Sequence, residues 1–252
     1  MIRSTFLHLP GVGPVTEAEL WRQGVRDWRE VDGLSPTAGL APARRERLRV
    51  ELQASERALA ERRVDYFATR LPDAEHWRLY PSFRAETAFL DIETTGLSPY
   101  EGIVTVVSIH GGGRTRTFVA DEDLEELPAY LRKFQLLSTF NGSLFDVPFL
   151  EYRFPGLVVP PVHIDLRFLL YRLGYSGGLK RIEQTLGLGD RSGVEGIHGL
   201  DAVRLWEAFR RGDNDSLARL VRYNRADTVN LEPLLEFAVG KLSERLLPHG
   251  GV

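Results

Sequence analysis

Two acidic residues stand two positions apart at the end of the apolar stretch AFLDIE. They are Asp91 and Glu93. Because side chains alternate along a strand, positions i and i+2 project from the same face, and the two carboxylates converge. Bringing them together is unfavourable unless a cation neutralises them, and oxygen ligands combined with water suit magnesium or manganese. A solvated strand end is the alternative interpretation, so the rest of the chain has to distinguish a metal site from an exposed terminus.

Two further carboxylates have settings that favour the same chemistry. Asp146 follows the apolar segment QLLSTF in the phrase NGSLFDVPF, where Asn141 can cap a helix that contains Asp146 in its first turns. Asp227 lies in the helical pattern RYNRADTVNL, with Tyr223 four residues earlier and therefore on the same helix face. The alternatives are a helix-dipole interaction for Asp146 and a surface helix with a partly buried tyrosine for Asp227.

The composition limits the chemistry that this chain can perform. Its 252 residues include no cysteine, so any metal must be held by oxygen or imidazole ligands, and disulfides and thiolate zinc sites are excluded. The amino-terminal MIRSTFLHLPGVG lacks the features of a signal peptide, and no apolar run reaches the length of a membrane span. We therefore expect a cytoplasmic protein without membrane association.

The net charge of −3 is unevenly distributed. Residues 1–84 carry 14 basic and 12 acidic side chains, whereas residues 85–252 carry 18 basic and 23 acidic ones. Divalent cations held by carboxylates would bring the second part close to neutrality, because bound ions belong to the local electrostatics. The acidity is therefore no argument against a partner as negatively charged as nucleic acid.

The elements that must position these residues change in type near residue 84. Before it, helical patterns near 14–23 and over 42–68 predict a small all-α N-terminal domain, 1–84. After it, the segments TAFLDIE, GIVTVVSIH and RTRTFVA predict an antiparallel three-strand meander, and QLLSTF predicts a fourth strand. Helices are expected over 121–134, 143–152, 166–174, 178–187, 201–211 and 215–240. This order predicts an α/β domain, 85–252, with one mixed sheet flanked by helices.

Three motifs then resemble those of one enzyme family. LDIETTGL resembles the first motif of the DEDD exonucleases, NGSLFD resembles the second, and YNRAD resembles the third in its Tyr-x3-Asp form. They occur in the family's order over residues 86–235. The chain is thus similar to the DEDDy subgroup of the ribonuclease H-like superfamily, and more narrowly to YprB-type proteins, in which a Gly-x-Gly module precedes the nuclease domain.

The resemblance implies a ribonuclease H-like sheet, with parallel strands beside the meander, and a two-metal hydrolase. It implies that two divalent cations, Mg²⁺ or Mn²⁺, are held by Asp91, Glu93, Asp146 and Asp227. It further implies that Tyr223 orients the attacking water and that Asp165 has a supporting role. Contacts with nucleic acid are implied for Thr94, Thr95, Gly96, Leu97 and Asn141.

The activity that the resemblance implies is that of a 3′–5′ exonuclease acting on a single strand or an end of DNA or RNA. Other functions stay open, because one fold hosts several. They are a structure-specific endonuclease, a non-catalytic nucleic-acid-binding protein and a phosphoesterase for small nucleotides.

The amino-terminal LPGVGPVTEAELWRQGV resembles one helix–hairpin–helix element. A glycine-rich turn that leads into a helix exposes backbone N–H groups to a phosphate oxygen without reading the base. Gly11, Val12 and Gly13 are the residues expected to make this contact. A small module that contacts protein or assists folding is the alternative.

Overall fold

The computed structural model describes residues 1–33, 42–197 and 199–247. The chain forms two compact units, Met1–Arg84 together with Val239–Val252, and Ala85–Ala238. The sequence led us to expect domains at 1–84 and 85–252, and the units differ from these in residues 239–252. No helix in the described part of the chain has the length and apolar character that a membrane crossing requires.

The helices within the described residues agree in type with most of the predicted segments. Their bounds are α1 Pro14–Arg22, α2 Pro42–Ala60, α3 Val64–Ala68, α4 Leu127–Leu131, α5 Asp146–Arg153, α6 Leu166–Arg172, α7 Leu179–Leu186, α8 Gly199–Arg210 and α9 Asn214–Leu246. The stretch 42–68 is two helices rather than one, because the backbone takes a positive φ of 58° at Arg62. The acidic stretch 121–134 is helical only from Leu124, first as a 3₁₀ turn and then as α4.

The first unit is organised around a buried ion pair. Glu17 on α1 accepts hydrogen bonds from the backbone N–H groups of Phe6 (2.6 Å) and Leu7 (3.2 Å). Its other oxygen accepts from Arg78 Nη1 at 2.8 Å, and Arg78 also pairs with Glu75. A buried carboxylate is tolerated when its oxygens are satisfied in this way, so these contacts fix α1 against the amino-terminal segment and the 3₁₀ helix Asp73–Ser82.

The second unit contains one mixed sheet, which confirms the predicted α/β fold class. Within the described residues it has five strands in the order β3-β2-β1-β4-β5. Their bounds are β1 Thr87–Thr94, β2 Val104–Gly111, β3 Arg114–Val119, β4 Leu136–Thr139 and β5 Val162–Asp165. The first three strands pair antiparallel, and β4 and β5 add in parallel beside β1. Phe89 of β1 pairs with Ser138 of β4, so β4 ends beside the middle of β1, close to the position of Asp91.

Strand β5 was missed by the sequence interpretation. It follows two prolines, Pro160 and Pro161, and its sequence VHID includes a histidine and an aspartate, so no apolar run marks it as a strand. Its pairing with β4 places Asp165 beside Thr139. Strands β4 and β5 therefore end at the same level, beside the middle of β1.

Candidate metal centre

Three of the predicted carboxylates meet at the end of β1. Asp91 and Glu93 lie on one face of this strand, and Asp227 approaches them from α9; one oxygen from each lies within 4.8 Å of the other two. Glu93 and Asp227 are buried, with 8% and 7% of their surface exposed. The register of the β1–β2 pair shifts between Glu93 and Thr94, so the strand is irregular directly after the second acid.

Asn224 holds Asp91 in place from the neighbouring helix. Its Nδ2 donates to Asp91 Oδ2 at 2.8 Å and to the backbone carbonyl of Asp91 at 3.1 Å. Asn224 is fully buried, and its Oδ1 has no hydrogen-bond partner among the described residues. Sequence reasoning missed this residue. Its signal, an asparagine three positions before Asp227 on the same helix, is visible only once the helix face is known.

Burial and mutual repulsion disfavour the charged forms of Asp91 and Glu93. Burial raises the pKa of Asp91 well above its ordinary value, and the charges of Asp227, Glu93 and Asp146 raise it further, whereas the hydrogen bond from Asn224 lowers it. Burial also raises the pKa of Glu93, followed by the charges of Asp227 and Asp146. Carboxylates packed in this way ionise together only when a cation compensates their charge.

Asp146 is the fourth carboxylate and lies slightly apart. The three-residue group found within the described part of the chain does not include it, although its charge acts on Asp91 and Glu93. It is the first residue of α5 and is 4% exposed. Burial raises its pKa to about 7, against hydrogen bonds from its own backbone and that of Ile92.

The loop before Asp146 is held by Asp165 rather than by a helix cap. Asp165 accepts from the backbone N–H of Asn141 at 2.8 Å and of Ser143 at 3.1 Å, and from Ser143 Oγ at 2.6 Å. Asn141 is not the N-cap of α5, because that position belongs to Phe145. Asn141 has a positive φ of 66°, and its side chain accepts from Arg167. Asp165 thereby connects the end of β5 to the loop that leads to Asp146.

The residues that follow Glu93 form a tight loop beside the cluster. Thr94 Oγ1 donates to the backbone carbonyl of Gly96 at 2.6 Å, and Thr95 Oγ1 accepts from the N–H of Ile103 at 3.0 Å. A Cβ on Gly102 would come within 2.7 Å of the Gly96 nitrogen, so the loop closes only because Gly102 has no side chain. Leu97 at its tip is 90% exposed.

Tyr223 lies against the carboxylates on α9. It is 5% exposed, and burial raises its pKa, followed by the charge of Asp227 and the other acids. Lys180 Nζ lies 4.4 Å from the centre of the tyrosine ring and donates to the backbone carbonyl of Ile197. An open cleft of about 280 Å³ reaches this point. It is lined by Gly178, Leu179, Lys180, Arg181, Gly199, Tyr223 and Asp227.

Arg191 is a cation of the site that sequence reasoning missed. Its Nη1 donates to Asp227 Oδ1, and its Nε donates to Glu183 Oε2 at 2.5 Å. It lies in the segment between α7 and α8, whose sequence, GLGDRSGVEGI, has no periodicity that would assign a direction to the arginine.

The glycine-rich turn lies in the first unit. Gly11 has a positive φ of 73°, and Gly13 is the N-cap of α1 without a side-chain hydrogen bond. Both are exposed, whereas Val12 is 7% exposed and belongs to the core.

The residues of the cluster fit a hard divalent cation. They offer only oxygen atoms, they crowd several carboxylates into a mostly buried space, and Asn224 orients one of them from behind. Oxygen ligation of this kind suits Mg²⁺ or Mn²⁺ rather than a softer metal. The repulsion that raises the pKa of Asp91 and Glu93 is the charge that a bound cation would offset.

Residues 88–239 match the family model RNase_H_2 of the RNase_H superfamily. The match covers more than half of the chain, so this chain belongs to that superfamily. The mixed five-stranded sheet and its flanking helices agree with this assignment. No curated protein matches the chain.

Several solved structures are similar at low identity. A family B DNA polymerase from the archaeon Pyrobaculum calidifontis shares 20% identity at a TM-score of 0.47, over 64% of this chain and 24% of that one. Brucella melitensis NrnC shares 21% identity at a TM-score of 0.46, over 66% of this chain and 78% of that one. The Aedes aegypti Nibbler EXO domain shares 12% identity at a TM-score of 0.44, over 69% of this chain and 91% of that one. This chain thus spans about a quarter of the polymerase's length.

Proposed function

We propose that this protein is a metal-dependent nuclease of the DEDDy type that removes nucleotides from the 3′ end of a nucleic-acid strand. The observation that carries the proposal is the convergence of Asp91, Glu93 and Asp227, whose oxygens lie within 4.8 Å of one another. Asp146 acts electrostatically on the first two. Membership of the RNase_H superfamily supports it.

The chain's own residues have separate tasks in this proposal. Asp91, Glu93, Asp146 and Asp227 would hold the two divalent cations. When bound, the cations supply Lewis-acid activation of water and neutralise charge that develops on the phosphate. Asn224 keeps Asp91 in its ligating orientation, and Asp165 fixes the loop that presents Asp146.

Tyr223 orients the attacking water in this scheme. A phenol whose pKa is raised by burial and by the nearby acids stays protonated at neutral pH, so it donates or accepts a hydrogen bond and does not serve as the base. A tyrosine with this protonation is suited to positioning a water in the cleft that Tyr223 and Asp227 line.

The loop after Glu93 supports the choice of an end-trimming enzyme. Leu97 is 90% exposed at the tip of a loop that is closed by the hydrogen bonds of Thr94 and Thr95. An exposed leucine on a fixed loop provides an apolar surface for the terminal base, and Thr94 and Thr95 bring the loop backbone beside the carboxylates. Apolar contact with the face of a base does not read its hydrogen-bonding groups, which suits a nuclease that processes any end.

Matched oligonucleotides of DNA and RNA, labelled at either end, test the proposal. With Mg²⁺ or Mn²⁺ the wild-type protein should give a ladder from a 5′-labelled strand and release a mononucleotide at once from a 3′-labelled one. Immediate release of a mononucleotide from the 5′-labelled strand would show that the enzyme degrades from the 5′ end instead. Cleavage of a circular strand would show an endonuclease, and binding without cleavage would show a non-catalytic protein.

Asp91→Asn should abolish the products while the protein stays folded. Asp121→Asn is the matched control, because Asp121 has 72% of its side chain exposed in an ion pair with Arg210. The control removes the same charge from the surface. Equal activity of the two variants would place the active centre elsewhere.

A further inference from the structure

Arg191 brings a positive charge directly against the carboxylate cluster. Its Nη1 donates to Asp227 Oδ1, and its Nε donates to Glu183 Oε2. Its Nη2 is buried and has no hydrogen-bond partner within the described residues. The Nη2 nitrogen of the guanidinium is therefore unused, while the Nη1 nitrogen is engaged by a proposed metal ligand.

The segment that carries Arg191 is anchored from α9. Asn230 Oδ1 accepts from the N–H of Asp190 at 2.9 Å, and Asn230 Nδ2 donates to the Asp190 carbonyl at 3.2 Å and to Glu183 Oε1 at 3.1 Å. Gly189 has a positive φ of 87°, and a Cβ there would lie 2.8 Å from the Asn230 amide. Further along, Val194 is 2% exposed. These contacts on both sides of Arg191 fix the backbone that carries it.

Resting on the proposed function, we infer that Arg191 is a residue with two alternating partners. Without a cation it pairs with Asp227. With the cation bound, its guanidinium, which remains tethered through Nε to Glu183, donates to a phosphate oxygen of the nucleic-acid strand. The ligand class is thus a phosphodiester, and the new element is an arginine of the α7–α8 segment.

Removing the charge of Arg191 should have opposite effects on cation binding and on strand binding. A fixed positive charge beside Asp227 repels a divalent cation, so removing it should strengthen cation binding when no strand is present. The same charge attracts a phosphate, and a guanidinium that can form two parallel hydrogen bonds is well suited to one. Removing it should therefore weaken strand binding. A residue that only maintains the shape of the site would weaken both.

The first measurement is Mn²⁺ binding to the wild type and to Arg191→Gln, without nucleic acid, followed by the EPR signal of free Mn²⁺. We expect the variant to bind Mn²⁺ about threefold to tenfold more tightly because one repelling charge is gone. Arg191→Lys keeps the charge and should stay close to the wild type. Weaker or unchanged Mn²⁺ binding by Arg191→Gln would overturn the inference.

The second measurement is the affinity for a fluorescent single strand with Ca²⁺ in place of Mg²⁺, at a series of salt concentrations and with product formation checked to be absent. Arg191→Gln should bind about tenfold more weakly, and the slope of log affinity against log salt should fall by about 0.7, the value for one contact to a single strand. Unchanged affinity and slope would overturn the phosphate contact.

Two controls separate the possible failures. Arg210→Gln removes an equivalent charge from the exposed pair with Asp121 and should alter neither measurement. Arg191→Gln with Glu183→Gln removes both partners of the buried pair, so that no uncompensated Glu183 remains, and thermal unfolding reports whether it folds; it should retain the loss of strand affinity. If the wild type neither binds nor cuts nucleic acid, the proposed function fails, whereas a normal wild type with unaltered variants refutes only the role of Arg191.

Discussion

The side-chain amide of Asn224 donates to both the carboxylate and the backbone carbonyl of Asp91, at 2.8 Å and 3.1 Å. This double contact fixes the rotation of the Asp91 side chain and joins the middle of α9 to the end of β1. It also lowers the pKa of Asp91, which burial and the neighbouring acids raise.

Asn224→Ala should therefore impair the centre without removing any ligand. Losing a partner behind a ligand typically costs ~10–100-fold in metal affinity or activity. Because the donor that lowers the pKa of Asp91 is gone, cation binding should also require a higher pH. Isothermal titration with Mn²⁺ at several pH values measures both effects. An unchanged pH midpoint would show that the contact has no influence on Asp91.

Asp91→Asn should stabilise the protein in EDTA while it removes activity. Three acids with oxygens within 4.8 Å repel one another, and neutralising one relieves that repulsion; each kcal/mol relieved raises Tm by roughly 2–4 °C in a chain of this size. Activity should fall more than about a hundredfold, beyond the range for indirect partners. Thermal unfolding at pH 8 measures the first effect. A lower Tm than wild type would mean that the cluster is not under repulsion.

Asp146 gives the metal-free protein a pH dependence of known sign. Between its ordinary pKa of 3.8 and about 7, the folded protein holds a proton that the unfolded chain releases. The contribution of Asp146 to the free energy of unfolding therefore decreases as pH rises through this window and is level above it. Asp146→Asn lacks this contribution, so its Tm advantage in EDTA should grow from pH 5 to pH 7.5. Parallel Tm profiles for the two proteins would refute the shifted pKa.

Asp165→Ser separates two functions of one carboxylate. Asp165 caps α6 by accepting from the Arg167 N–H, and it also binds the loop at Asn141 and Ser143. Serine is a good N-cap but is too short to reach the loop. We expect helix α6 to persist, stability to drop by ~1–3 kcal/mol for the lost bonds, and activity to fall ~10-fold as Asp146 loses its support. Activity equal to wild type would show that Asp146 does not depend on the loop contacts of Asp165.

Substitutions at Gly13 test the predicted phosphate contact of the first unit. Gly13→Asp and Gly13→Asn both supply a favourable N-cap for α1, and nothing lies within 4 Å of a Cβ at this position. The aspartate adds a negative charge where a phosphate would bind, so it should weaken strand binding ~3–10-fold for every sequence tested, and the asparagine should weaken it less. Equal binding by both variants and wild type would favour a protein-contact or folding role.

Local regularities made much of the fold predictable. The alternation along AFLDIE places Asp91 and Glu93 on one face, and the four-residue spacing of Tyr223 and Asp227 places them on one helix face, because backbone geometry alone determines both. The four strands with clear apolar patterns were found for the same reason. Strand β5 follows two prolines and lacks the apolar run of β4, so its pairing with β4, rather than its own pattern, makes it a strand.

The unpredicted parts of the site depend on contacts between distant segments. Arg191 reaches Asp227 across 36 positions, and Asn224 reaches Asp91 across 133. Arg191 belongs to no pattern that indicates where its side chain points, and the position of Asn224 three residues before Asp227 indicates only a shared helix face, not the contact with Asp91. The capping expected for Asn141 was wrong because Asp165, on the unrecognised strand β5, holds that loop instead.

Helix α9 carries Tyr223, Asn224, Asp227 and Asn230, which contact Lys180, Asp91, Arg191 and the α7–α8 segment in turn. At 3.6 residues per turn, inserting one residue ahead of Tyr223 would swing the whole group by about 100° around the helix axis. A point substitution alters one of these side chains, whereas a single-codon insertion there would displace all four from the site together. Length variation should therefore be tolerated before Asn214 and rejected between Leu220 and Tyr223.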